Sequence, residues 1–253
     1  MDIMFSPSPA EFPIITPLGD SALIVTFGDS IQTSTHLKVR QLAEYLEHHP
    51  FPWMIESVPA FTSVTIYYDL MKLLEEAEKH EDRVRTLTPY QFAAELVSKL
   101  IHTLQDIKAS PERIVEIPVC YGGEWGPDLE TVASHNGLTP QEVINIHTSA
   151  DYLVYMLGFA PGFAYLGGMS KRIATPRRET PRLSIPAGTV GIAGDQTGVY
   201  PIDTPGGWQL IGKTPIELFK PQQMPPTLLQ AGDIVRFYSI TREQFEAWEE
   251  LER

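Results

Sequence analysis

Eleven of the chain's 18 glycines fall between Gly158 and Gly212, interleaved with prolines and short apolar runs. Backbone punctuated this often cannot sustain long helices. It suits many short strands closing a barrel better than a parallel sheet with long crossover helices. The preceding part reads differently. From about Ile14 to Lys108, strand-like and helix-like signals alternate: Ser21 to Phe27 is rich in β-branched and aromatic residues and runs into Gly28-Asp29, and Ser63 to Tyr68 reads as another strand. Val39, Leu42, Ala43 and Leu46 recur at helical spacing ahead of Pro50, which predicts a helix over 34–48. Thr88-Pro89-Tyr90-Gln91 has the form of a capping box with proline at the first helical position, and Phe92, Leu96, Leu100 and Leu104 then line one face. The charged stretch from Leu70 to Arg85 reads either as helix or as an exposed excursion, and Gln105 to Arg113, with Pro111, as a linker.

Beyond that linker, Asp128 is placed to cap a helix over 129–135 ahead of Gly137, and Thr139-Pro140-Gln141-Glu142 is a second capping box opening a helix at 140. Gly232-Asp233 precedes a final strand, Ile234 to Tyr238, and the acidic stretch Thr241 to Glu252 reads as a helix. The fold class predicted is α+β: a small N-terminal α/β domain over 1–108, a β-barrel domain over 109–240 and a C-terminal helix over 241–253.

Formal net charge of -13 repels nucleic acid and anionic lipid at long range, so neither is an expected partner. No window approaches the roughly 20 apolar residues of a membrane span, and residues 1–13 lack a basic region leading into an apolar stretch. The single cysteine, Cys120, lies in an apolar run with Ile117 and Val119 and reads as a small core residue; with no second thiol to pair with, the expected compartment is the cytoplasm. Against the acidic background, Lys171, Arg172, Arg177, Arg178 and Arg182 face one acid, Glu179, within twelve residues. That local excess marks a candidate anion site.

Gly207-Trp208-Gln209-Leu210-Ile211-Gly212-Lys213-Thr214 matches the phosphate-loop pattern literally. The pattern needs a preceding strand and a following helix, whereas Trp-Gln-Leu-Ile is itself strand-like and Pro215 disfavours a helix start at Thr214. Gly158-Phe159-Ala160-Pro161-Gly162-Phe163-Ala164-Tyr165 is read two ways, as a tight loop whose aromatics pack under the barrel or as a binding loop presenting Phe159, Pro161, Gly162, Phe163 and Tyr165. In Pro176-Arg177-Arg178-Glu179-Thr180-Pro181-Arg182, two Pro-Arg pairs hold guanidinium groups on restricted backbone, suited to gripping carboxylate or phosphate. Ile185 to Ala193 reads as a barrel strand, with Asp195 and Gln196 at its end available for polar contacts. His147 sits among Ile144 and Ile146, where a hydrogen-bonded structural histidine and an acid/base group are both readings; Asp195 is the other acid/base candidate. No His-Glu-x-x-His, paired-cysteine or Gly-x-Ser-x-Gly signature occurs, and no metal site is expected.

Several of these segments occur together in one family. Tyr121-Gly122-Gly123 with Gly126-Pro127-Asp128-Leu129, Gly158-Phe159-Ala160-Pro161-Gly162-Phe163, Pro176-Arg177 with Pro181-Arg182, Pro186-Ala187-Gly188 through Gly194, Gln196-Thr197-Gly198 and Pro205-Gly206-Gly207-Trp208 resemble, in order, the family of KipI and the 5-oxoprolinase B subunit, also labelled allophanate hydrolase subunit 1. Pro17-Leu18-Gly19-Asp20-Ser21-Ala22-Leu23 and Gly232-Asp233 extend the resemblance over nearly the whole chain. The resemblance implies that the barrel is cyclophilin-like. It also implies a role as one component, inactive alone, of an enzyme that opens the 5-oxoproline lactam to L-glutamate at the expense of ATP and its magnesium. An A partner (LamB/YcsF-like) and a C partner (KipA-like) would complete that enzyme. The alternatives carried by the same family are inhibition of a sporulation histidine kinase and, more weakly, hydrolysis of allophanate or another urea derivative. Where relatives carry arginine near the phosphate-loop match, this chain has Lys213. On the enzyme reading Arg177 and Arg182 supply electrostatic stabilisation, and Phe159, Phe163, Tyr165, Gln196 and Trp208 contact substrate or partner.

Overall fold

The structure, a computed structural model, describes residues 12–79, 87–104 and 113–251. The predicted linker lies outside the described residues except for Arg113, as do residues 1–11 and the stretch 80–85 of the charged segment. The chain divides into two compact units between residues 110 and 111.

In the first unit, β1 (Ile14–Pro17), β2 (Ala22–Thr26), β3 (Met54–Pro59) and β4 (Ser63–Tyr68) form an antiparallel sheet of order β1-β2-β4-β3. Alternation in the two central strands turns Leu23, Val25, Val64, Ile66 and Tyr68 inward. Against them pack Val39, Leu42 and Leu46 from α1 (Thr33–His48) and Phe92, Ala93, Val97 and Ile101 from α3 (Pro89–Leu104). The Thr88 capping box forms in both directions: Thr88 N donates to Gln91 Oε1 at 2.8 Å and Gln91 N to Thr88 Oγ1 at 3.3 Å. The buried face of α3 is rotated one residue from the expected row, so that Leu96 and Leu100 are only partly covered. Asp69 decides the reading of the charged stretch, because its carboxylate accepts from the amides of Met71 and Lys72 and opens α2 (Leu70–Glu78). The edge strands β1 and β3 carry no clean alternation and end in proline, which an edge tolerates and which hid them from pattern reading.

In the second unit, strands β5 (Ile114–Tyr121), β6 (Asp151–Leu157), β7 (Ala164–Gly167), β9 (Thr189–Ala193), β10 (Gln196–Val199), β12 (Gln209–Lys213) and β13 (Ile234–Ser239) form one sheet of order β10-β9-β12-β5-β13-β6-β7. Its two end strands, β10 and β7, lie beside each other, so the sheet curls into a nearly closed barrel. A separate two-stranded ribbon joins β8 (Arg182–Ile185) to β11 (Thr204–Gly206). Helices α4 (Leu129–Asn136) and α5 (Pro140–Thr148) bring Val132 and Val143 to the same core as Ile117, Val119, Val154, Val190, Ile192, Ile211 and Val235, and α6 (Arg242–Leu251) follows the last strand. Gly126 permits the closest backbone approach, since a Cβ there would lie 2.1 Å from the carbonyl oxygen of Ile211. Cys120 is buried with Ile240 and Phe245, and burial raises its thiol pKa. No helix among the described residues is long and apolar enough to cross a membrane.

A polar pin crosses this core. Thr197 donates its hydroxyl proton to the Gly191 carbonyl at 3.0 Å, so its oxygen accepts from His147 Nε2 at 2.9 Å; Nδ1 is then left to accept from the Tyr121 hydroxyl at 2.7 Å. His147 has no exposed surface, and desolvation lowers its pKa from 6.5 to about 3. The unfolded chain therefore takes up this proton first. The stability contributed by neutral His147 is fully present above about pH 6.5 and is lost as pH falls toward 3. In urea unfolding between pH 7 and pH 4, wild type should lose up to about 1.4 kcal/mol per pH unit more than His147→Gln; parallel slopes would contradict the buried neutral assignment.

Candidate functional site

The basic segment leaves the barrel after Thr175, which bridges Gly194, and returns at β8. Proline at 176 and 181 restricts it, and backbone contacts tie it down: Arg178 N donates to the Gly207 carbonyl at 2.7 Å, and Gln209 Nε2 to the Pro176 carbonyl at 2.9 Å. The strongest tie comes from a distant carboxylate. Asp128, 4% exposed, accepts from Arg178 Nη1 at 3.1 Å and Arg182 Nη2 at 2.9 Å through Oδ1, and from the amide of Leu210 at 2.7 Å through Oδ2. Asp128 stands at the N-cap of α4, as expected, yet its side chain makes no capping bond. Two cations and a strand amide offer an ionised acceptor more than the helix amides do.

Beneath the arginines lies a separate apolar cluster of Phe163, Ile185, Ala193, Tyr200, Trp208 and Leu210, with Ala160 and Tyr165 against it. Phe163 is its hub, meeting Tyr165, Trp208 and Tyr200 edge-on at ring-centroid distances of 5.3, 5.8 and 6.1 Å. Burial raises the Tyr200 pKa, while the charges of Arg177 and Arg182 draw it back, which places both guanidinium groups within electrostatic reach of that phenol. Phe159 stands apart: it is 70% exposed, its φ is 70°, and its ring meets Phe163 edge-on at 5.6 Å. Left-handed backbone at a phenylalanine costs about 1–2 kcal/mol. The loop holds it through Gly158 N to the Phe163 carbonyl at 3.0 Å and Phe163 N to the Ala160 carbonyl at 3.0 Å.

Arg177, Arg182, Phe159, Phe163, Tyr165 and Trp208 thus belong to one connected region. The packing reading of the glycine-rich loop holds for Phe163, which lies inside, while Phe159 and Pro161 face solvent. Gly162 supplies the turn with φ 80°. The Nη2 of Arg182 is spent on Asp128, and its Nη1 is buried without a partner among the described residues. Arg177 is exposed and in no ion pair among them. Gln196 is half-buried beside Ala193 at the start of β10, and Asp195 is exposed at the hairpin tip. His147 lies instead in the barrel core, held neutral with both ring nitrogens bonded, which corrects the acid/base reading. Pattern reading missed Asp128, Tyr200 and Gln209 as members of this region; none carried a signal at their distance along the chain from the arginines.

The phosphate-loop match folds as β12, where its amides serve pairing: Thr214 N donates to the Gly188 carbonyl at 2.9 Å. Lys213 Nζ lies 5.7 Å from the ring centre of Phe245. No phosphate cradle exists in this segment, so a nucleotide does not fit here. No group of three or more His, Cys, Asp or Glu side chains is gathered as metal ligands among the described residues.

Residues 13–229 match the family model described as carboxyltransferase domain, subdomain C and D. The chain is 55% identical over 236 residues to the 5-oxoprolinase B subunit of Bacillus subtilis (strain 168), covering 93% of this chain and 96% of the relative. It is 39% identical to the 5-oxoprolinase B subunit of Escherichia coli O157:H7 over 222 residues, 87% of this chain and 93% of the other. Among solved structures it is similar to TTHA0988, at 34% identity and a TM-score of 0.69 over 87% of this chain, although it spans only 40% of that protein.

The two phenylalanines should separate cleanly in a stability assay. Phe163→Ala is expected to cost about 3–5 kcal/mol in urea unfolding, as the hub of a buried cluster. Phe159→Ala should change stability by less than about 0.5 kcal/mol or raise it slightly; equal losses would contradict the division of labour.

Proposed function

Because the chain belongs to the family of the carboxyltransferase domain, subdomain C and D, we propose that it serves as the B subunit of an ATP-dependent 5-oxoprolinase, which hydrolyses 5-oxo-L-proline to L-glutamate, and that it is inactive without its partners. The observation that carries this reading is a charge imbalance. Arg178 and Arg182 are held on one buried carboxylate, with the exposed Arg177 on the same segment, in a chain of net charge -13, which favours a small anion at that spot. 5-Oxoproline is a small carboxylate joined to a lactam. Arg177, exposed and unpaired among the described residues, receives the carboxylate through its planar fork of donors. Arg182, held by Asp128, adds fixed positive charge beside that carboxylate.

The aromatic residues divide between holding and contacting. Phe163, Tyr165 and Trp208 form the floor under the arginines, and Phe159 with Pro161 offers an apolar surface for a partner of the complex to cover. Gln196 and Asp195, on the neighbouring hairpin, supply polar contacts at the margin. ATP, with its magnesium, acts in the assembled complex and not at the phosphate-loop match of this chain, which is a strand.

The test is 5-oxoproline-dependent ADP release by this chain mixed with its A and C partners. Activity is expected only in the full mixture. Arg177→Ala should lower kcat/KM by roughly 10- to 100-fold, the scale of one charged hydrogen bond, without changing the melting temperature. An assembled complex with no activity would remove the enzyme reading and bring inhibition of a histidine kinase to the front.

A further inference from the structure

Arg178 and Arg182 share one oxygen of Asp128, and the other oxygen holds the Leu210 amide. This carboxylate is almost fully buried, while the side chains of Arg178 and Arg182 retain 37% and 25% of their exposure. A surface ion pair leaves two long side chains mobile. Here the acceptor is fixed at both oxygens, so the guanidinium groups it holds lose most of their freedom before any ligand arrives. Asp128 is also the one carboxylate paired with either arginine among the described residues, so two cations meet one anion and a positive charge is left over. Glu179, on the same loop, is exposed and pairs with neither. Finally, Arg182 Nη1 is buried and has no hydrogen-bond partner among the described residues, a donor held ready beside the uncompensated charge.

We propose that Asp128 is a positioning residue, which orders Arg178 and Arg182 as a preformed pair whose surplus charge takes the carboxylate of the substrate alongside Arg177. The inference rests on the reading of the arginine segment as the substrate's anion site, and it adds Arg178 and Asp128 to the residues that set affinity. Preorganisation of this kind acts on binding: the arginines would otherwise be ordered at the expense of ligand affinity. The chemical step, supplied largely by the partners, is left nearly unchanged.

Asp128→Asn keeps an acceptor for the Leu210 amide and removes the charge that holds the arginines. Two readouts are made on the full chain and the assembled complex. In the nitrogen-15 NMR spectrum of the full chain, wild type should show separate, slowly exchanging guanidinium resonances for Arg178 and Arg182, which collapse to averaged signals in the variant. In the assembled complex, the variant's KM for 5-oxoproline should rise at least about tenfold while kcat changes less than about threefold, consistent with one charged contact. Arg178→Gln, at an exposed position, serves if Asp128→Asn does not fold; it makes the charge ratio one to one and should raise KM at least about fivefold. Freed arginines with an unchanged KM, or an unchanged KM in Arg178→Gln, would overturn the proposal. If Arg177→Ala and Arg182→Ala also leave KM unchanged, the anion-site reading itself falls; if they raise it, that reading stands and only the role of Asp128 is lost.

Discussion

A buried carboxylate at the start of α4 ties together three parts of the second unit that are far apart in sequence. Asp128 exchanges hydrogen bonds with β12, its amide donating to the Leu210 carbonyl at 2.9 Å while its side chain accepts from the Leu210 amide. The same side chain reaches the basic segment some fifty residues on. An ionised carboxylate can be buried only when its lone pairs are met by charged or well-aligned donors, and here all three donors are supplied by the fold. The arginine segment has little regular structure of its own. Its geometry is borrowed from the barrel through this one group.

The barrel can act as a template because its interior is specified by both packing and polarity. Ile117, Val119, Val190, Ile192 and Ile211 fill the core, and the chain through Tyr121, His147, Thr197 and Gly191 runs among them with each polar atom matched. Such a network tolerates only one register, since a shift of one residue would leave buried polar groups unmatched. Rigidity in the strands then passes outward to the Phe163 cluster, where Tyr200 directly follows β10 and Trp208 directly precedes β12. The exposed Phe159 stands against Phe163 in strained backbone, a combination that costs stability while leaving most of its ring to solvent.

Much of the architecture was legible because the signals were local. Capping boxes at Thr88 and Thr139 depend on residues three apart, helices over 33–48 and 89–104 on apolar spacing, and the barrel on glycine and proline density. The edge strands β1 and β3 were not legible, because an edge strand is covered on too little of its surface to need alternation. The candidate site was legible as a list: the basic run and the glycine-aromatic loop both stood out against composition. Its membership was not. Arg178 and Arg182 appeared as part of a candidate anion site with no partner within the chain named, and Asp128 as a helix cap.

By itself, then, the sequence determined where helices begin, where the chain must turn, which segments are basic, and that the phosphate-loop match lacks the flanking structure a nucleotide needs. Only the tertiary structure decided that two arginines are held by Asp128 while Arg177 stays exposed, that Phe163 is packed inside and Phe159 lies at the surface, and that His147 is a neutral core group. The physical reason is range. Hydrogen-bonded caps, turns and periodicity act over a few residues and are written in neighbouring letters, whereas the partner of a buried charge and the burial of a ring are set by segments that meet only after the barrel has closed.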